Sequence, residues 1–223
     1  MIEHLLHPRI TENKDWATAL FILALAIIAI TKSVNENRFG DFVNLLFSDK
    51  YTKIYRDNSN LNSAFTVSLF VVQVISIAFF IQLSLHVFGY ASKTDWLLYI
   101  QIITFLIFFI LSKFLVEKII ATAFNIEELA EQLNLQKVTY RTYIGLIILP
   151  INVILFYYDT ISVNFLVILI STLLVINILV YLISIKNYQK LIFGKLFYFI
   201  LYLCTLEIAP YFFMYFWFIK VGT

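Results

Sequence analysis

The sequence predicts an all-α, polytopic membrane protein of about six transmembrane helices, with an amphipathic cytoplasmic helix after the first. Three observations predict it. Hydrophobic residues fill 61% of the 223 positions and charged residues only 13%, about half the charge of a water-soluble domain. Mean hydropathy is +0.88, so a soluble fold would leave far too much Phe, Ile and Leu against water. The apolar residues also fall in long runs, with the charges gathered between them. A net charge of +2 without a basic stripe argues against a nucleic-acid partner.

The runs are justified in chain order. The first, 16–30, is short, but Lys32 can snorkel and lengthen it. The next two, 64–90 and 96–115, each reach the twenty or so residues a bilayer requires. The fourth, 143–158, is again short and is extended by Arg141 and Thr142. The fifth, 161–185, cannot continue the fourth, because one helix over both would reach about 64 Å. Asp159-Thr160 therefore marks a tight hairpin. The last run, 196–219, is long enough to cross with some tilt. The polar N-terminus through Asp15, with no small-residue cleavage pattern after the first run, argues against a cleavable signal peptide. No internal repeat divides the chain, so 1–223 reads as a single integral-membrane domain.

Charge placement fixes the expected orientation. Twelve of the sixteen Lys and Arg residues lie in 31–63, 113–142 and 186–195. The positive-inside rule puts those segments in the cytoplasm and both termini in the periplasm of a bacterial inner membrane. Trp16, Trp96 and Trp217 then fall at the outer edges of their spans, where interfacial aromatics belong. Two cytoplasmic segments carry helical stripes. Phe39, Phe42, Leu46 and Phe47 suit a helix lying on the inner leaflet. In 125–135, Asn125 is a candidate N-cap for a second helix with Ile126, Leu129 and Leu133 on one face.

Chemistry-bearing motifs are sparse. No phosphate-binding loop, nucleophile elbow, HExxH or paired-aspartate motif is present. His4 and His7 are followed at once by Pro8 and read as a tail rather than a metal site. The single Cys204 excludes a disulfide framework. The expectation is a non-enzymatic protein with no cofactor and no metal. His86 and Gln101 sit at similar depth across the second hairpin and read as an outer-side hydrogen-bonded pair. Lys113, Glu117 and Lys118 form a group of cytoplasmic-side charges.

The polar residues inside the spans are the strongest functional candidates. Glu207 is twelfth of the twenty-four residues in the last run, near the midplane, where an ionisable group by default suggests function. Tyr211, one turn outward, can donate to its carboxyl, and Cys204 shares its face. Gln73 and Asn152 fall in the same middle layer, with Asn177 in the inner half. Pro210 frees the carbonyl of Leu206 in the same neighbourhood.

The stretch Phe197-Tyr198-Phe199-Ile200-Leu201-Tyr202-Leu203-Cys204-Thr205-Leu206-Glu207-Ile208-Ala209-Pro210 resembles the C-terminal signature of an uncharacterised Bacteroidota integral-membrane family. Asn35-Glu36-Asn37-Arg38-Phe39 and Gly145 through Pro150 are similar to the same family's pattern. The resemblance implies an inner-membrane protein of the Bacteroidota envelope and brings no catalytic residues with it. Two functions stay open. One is an accessory or assembly subunit that binds partner membrane proteins or lipid. The alternative is a small transporter or proton-coupled carrier centred on Glu207. Small size, few glycines and no repeats favour the subunit.

Overall fold

A computed structural model of the chain describes residues 14–46, 51, 54–55, 63–123, 127–158 and 161–187, without the side chains of 46, 128–130, 132–133 and 180–187. The order is α1 (Asp15–Val34), α2 (Glu36–Val43), a 3-10 turn at Asn44–Leu46, α3 (Ala64–Val87), α4 (Trp96–Ala123), α5 (Glu127–Tyr157) and α6 (Val163–Asn187). Among the described residues the fold is all-helical. Four segments are long and apolar enough to cross a membrane: α1, α3, α4 and Asn134–Tyr157 of α5. The 25-residue α6 follows the fifth expected run. The sixth, 196–219, and the Asp159-Thr160 hairpin lie outside the described residues.

Local sequence explains the boundaries. Ser63 caps α3 by accepting from the Thr66 amide at 3.4 Å. Asp95 caps α4, its Oδ1 accepting from the amides of Leu97 and Leu98 at 3.0 and 3.2 Å. Gly89, at φ +80°, ends α3. That left-handed turn lets the amides of Gly89 and Tyr90 close back on the carbonyls of His86 and Leu85. Asn35 breaks the chain between α1 and α2 with φ −130° and ψ 55°.

Two expectations about the segment between the third and fourth spans need correction. The helix of the third span, α4, does not stop at 115 but runs to Ala123. The segment 125–135 is not a separate surface helix, because α5 is one continuous helix of 31 residues from Glu127. No Gly or Pro interrupts the sequence between Glu127 and Gly145, so nothing stops the helix once it has started.

The helices alternate in direction, which defines two ends. At the Lys14 end, Trp16 meets Phe79, Trp96, Tyr99 and Phe156, with ring centroids 5.2–6.2 Å apart. The Lys93 ammonium there donates to the Tyr158 carbonyl at 3.1 Å, which ties the α3–α4 loop to the end of α5. At the other end, the Arg38 end, α2 folds against α3 and α5. The central helix is α3, which packs most against the parallel α5 and is flanked by α1 and α4. Half of the apolar window of α3 is buried, against 6% of that of α4.

The described aromatics of the α2 stripe, Phe39 and Phe42, pack within the chain, which corrects the expectation that these two rest on lipid. Phe42 is 2% exposed and packs edge-on against Tyr51, Phe65 and Tyr143 at 5.5–6.0 Å. Phe39 packs at the margin of the same cluster. Leu46 falls in the 3-10 turn, and Phe47 lies outside the described residues. Phe42 and Phe39 are satisfied by the Arg38-end residues of α3 and α5, which supply aromatic partners that a sequence pattern does not reveal. A cysteine at position 42 should therefore react slowly with a water-soluble maleimide, and one at position 43 quickly, since Val43 is 47% exposed. Equal rates would contradict the packing.

Candidate functional site

Polar groups inside the bundle gather at the contact of α3 with α5. Thr142 Oγ1 donates to Gln73 Oε1 at 2.9 Å, and both residues are buried. Asn152 Nδ2 donates to the Ser76 carbonyl at 2.7 Å and approaches Ser76 Oγ at 3.4 Å. Gly145 lies between these two bridges on α5. A Cβ placed there would stand 2.8 Å from Gln73 Cγ and 3.0 Å from Gln73 Cα. The missing side chain is what lets α3 and α5 approach closely enough for the bridges to form. Packing here rests on a glycine, although the sequence has no GxxxG pair.

Each bridge leaves one group over. Gln73 Nε2, a donor, and Asn152 Oδ1, an acceptor, are buried with no hydrogen-bond partner among the described residues. Such groups in an apolar layer weaken the net gain from the bonds beside them. Thr142→Val should accordingly lower the unfolding free energy by about 0.6 kcal/mol and by no more than about 1.7, the range for buried bonds between membrane helices. Steric-trap unfolding in bicelles measures this. A loss well above that range would show that the pair anchors something larger.

At the Arg38 end, the guanidinium is held by aromatic faces and a hydroxyl. Arg38 Cζ lies 4.8 Å from the Tyr55 ring centroid and 4.6 Å from that of Phe65. Its Nη2 donates to Thr66 Oγ1 at 3.3 Å. Cation–π contact of this kind replaces part of the lost hydration of the charge. Burial pushes the Tyr51 hydroxyl above the ordinary tyrosine range, against the opposing hydrogen bond and charge of Arg38. This local clamp was not legible in the sequence, because its members are spread over residues 38–66.

The remaining candidates are dispersed. His86 does not pair with Gln101: its Nδ1 is 3.1 Å from the Ala91 carbonyl, within its own loop, while Gln101 is exposed on α4. The loop is tight enough for His86 to satisfy itself locally. In its place, Gln82 spans the hairpin, donating to the Asp95 carbonyl at 2.8 Å. Asn177 stands apart from the other intramembrane polar candidates, since it is exposed and donates to the Leu173 carbonyl of its own helix at 3.0 Å. Lys113 and Glu117 line a cleft between α4 and α5, whereas Lys118 faces outward. Glu207, Tyr211 and Cys204 lie outside the described residues.

The profile of a family described as "Domain of unknown function (DUF4271)" matches residues 17–218. No curated protein and no solved structure matches the chain.

Proposed function

The chain belongs to the DUF4271 family over most of its length, and from that premise we propose a membrane-embedded, non-enzymatic accessory or assembly subunit. Its setting would be the inner membrane of a Bacteroidota envelope, with both termini periplasmic. The observation that carries this reading is the contrast between α3 and α4. The first is a central strut, fixed by aromatic packing and by bridges to α5. The second is equally apolar yet lies almost wholly on the surface, with Phe105, Phe108, Leu111, Leu115 and Ile119 each at least 50% exposed. A rigid core with one long aromatic helix turned outward suits attachment to partner helices and lipid better than alternating movement.

Copurification from native membranes under mild detergent tests the reading. A stoichiometric membrane-protein partner is the expected result. A protein that comes alone and binds a small solute would overturn it and favour the carrier centred on Glu207. Glu207→Gln separates the two in cells, because an amide keeps the shape of the acid but cannot cycle a proton. The subunit tolerates that change. A carrier loses its activity at normal abundance.

A further inference from the structure

We propose that the cleft between α4 and α5 at the Arg38 end binds the head-group phosphate of an anionic membrane lipid. The acyl chains would lie along the edge of α4 that borders the cleft, next to Phe109 and Phe114. The inference rests on the membrane setting proposed above and not on the existence of a protein partner.

The cleft has a volume of about 70 Å³, room for several waters or one phosphate group. Its walls come from two helices that run in opposite directions. On α5, Asn134, Lys137, Val138 and Arg141 follow at i, i+3, i+4 and i+7, which places them on one face. On α4, Lys113 and Glu117 stand one turn apart and face them. Three cationic side chains thus surround one carboxylate, and the cleft is net positive. Lys113, Lys137 and Arg141 are all partly buried, which keeps their charges at the cleft rather than in bulk water.

Polarity is graded along the α4 wall of the cleft. Phe109 and Ile110 line its membrane side, and Glu117 and Asn134 its opposite side. Phe114, another lining residue, is 44% exposed and carries the apolar surface out to the mouth of the cleft. A free phosphate would use only the charged part. A lipid would use the charges for its head group and the adjoining apolar face for its chains. Basic pockets between helices at the cytoplasmic membrane surface are suited to such head groups.

The test uses the full chain, delipidated in a neutral detergent and titrated by native mass spectrometry with phosphatidylglycerol, phosphatidylcholine or inorganic phosphate. Phosphatidylglycerol should bind in preference to phosphatidylcholine, and phosphate alone should not displace it. Arg141→Gln and Lys137→Gln should each weaken phosphatidylglycerol binding about fivefold, the effect of one Lys or Arg at a membrane surface. Glu117→Gln, which removes the opposing carboxylate, should strengthen it. That gain of binding cannot come from misfolding. Lys118→Gln, outside the cleft, should have little effect. Equal binding of the two lipids would overturn the proposal, as would an effect of Lys118→Gln as large as that of Arg141→Gln. Displacement by inorganic phosphate would overturn the assignment to a lipid. If the chain instead fractionates away from membranes, the membrane reading itself fails, which is a separate outcome.

Discussion

Phe79→Ala should be the most damaging single truncation in the bundle, with a loss of about 2–3 kcal/mol. Phe79 is fully buried and stacks on Phe21 at 4.2 Å, and its ring lies 4.6 Å from Tyr99, 5.8 Å from Trp16 and 5.9 Å from Phe156. It therefore joins α1, α4 and α5 to the central helix. In water, the loss would combine transfer of apolar surface with an empty cavity. In a bilayer the transfer part is small, because the helices separate into lipid that is as apolar as the core. The cavity part remains, and a void on the order of 100 Å³ at about 24 cal/mol per Å³ gives about 2.4 kcal/mol. Phe108→Ala makes the control: that ring is 71% exposed, so its removal leaves no internal void and should change stability by less than about 0.5 kcal/mol. Reversible unfolding in bicelles reads both. Similar losses at the two positions would contradict the packing.

Gly145→Val should come next, at the upper end of roughly 1–3 kcal/mol for overpacking. The new Cβ would meet both a flexible atom, Gln73 Cγ at 2.8 Å, and a backbone atom, Gln73 Cα at 3.0 Å. The side chain can turn away, but the backbone can yield only if α3 and α5 separate. Separation strains the Thr142–Gln73 and Asn152–Ser76 bridges together. A change to alanine would recover about 1 kcal/mol through helix propensity, but valine recovers less because its branched Cβ crowds the preceding turn. Gly40 provides the comparison within the same chain. A Cβ there meets nothing within 4 Å, so Gly40→Ala should be neutral or stabilising by about 0.4–1 kcal/mol. Thermal melts of the detergent-solubilised variants give the ranking. It would be contradicted if Gly145→Val melted with the parent chain.

The fold class was legible because composition and run length decide it almost alone. Which face of each span is buried was not. Both α3 and α4 are apolar all round and carry no polar stripe to point outward, yet one is central and the other superficial. The polar layer was half legible. Gln73 and Asn152 stand out in apolar runs, but their partners Thr142 and Ser76 do not. Hydroxyl side chains in such helices commonly bond their own preceding turn, as Thr31, Ser84, Thr139 and Thr172 do here. Nothing in the sequence separates a hydroxyl that crosses to another helix from one that does not. Gly145 was visible only as a residue type, since its role depends on where Gln73 stands. The α4–α5 cleft was not legible, because only the continuation of α5 back to Glu127 brings Asn134, Lys137 and Arg141 onto one helical face.

Photocrosslinking from α4 in native membranes bears most directly on the proposed role. A photoreactive amino acid at position 108, on the outward face, should give a discrete adduct with one membrane protein after irradiation. The same probe at position 79, inside the core, should give none. Adducts with lipid alone at positions 105, 108 and 111 would mean that α4 faces only the bilayer, and the subunit reading would be wrong.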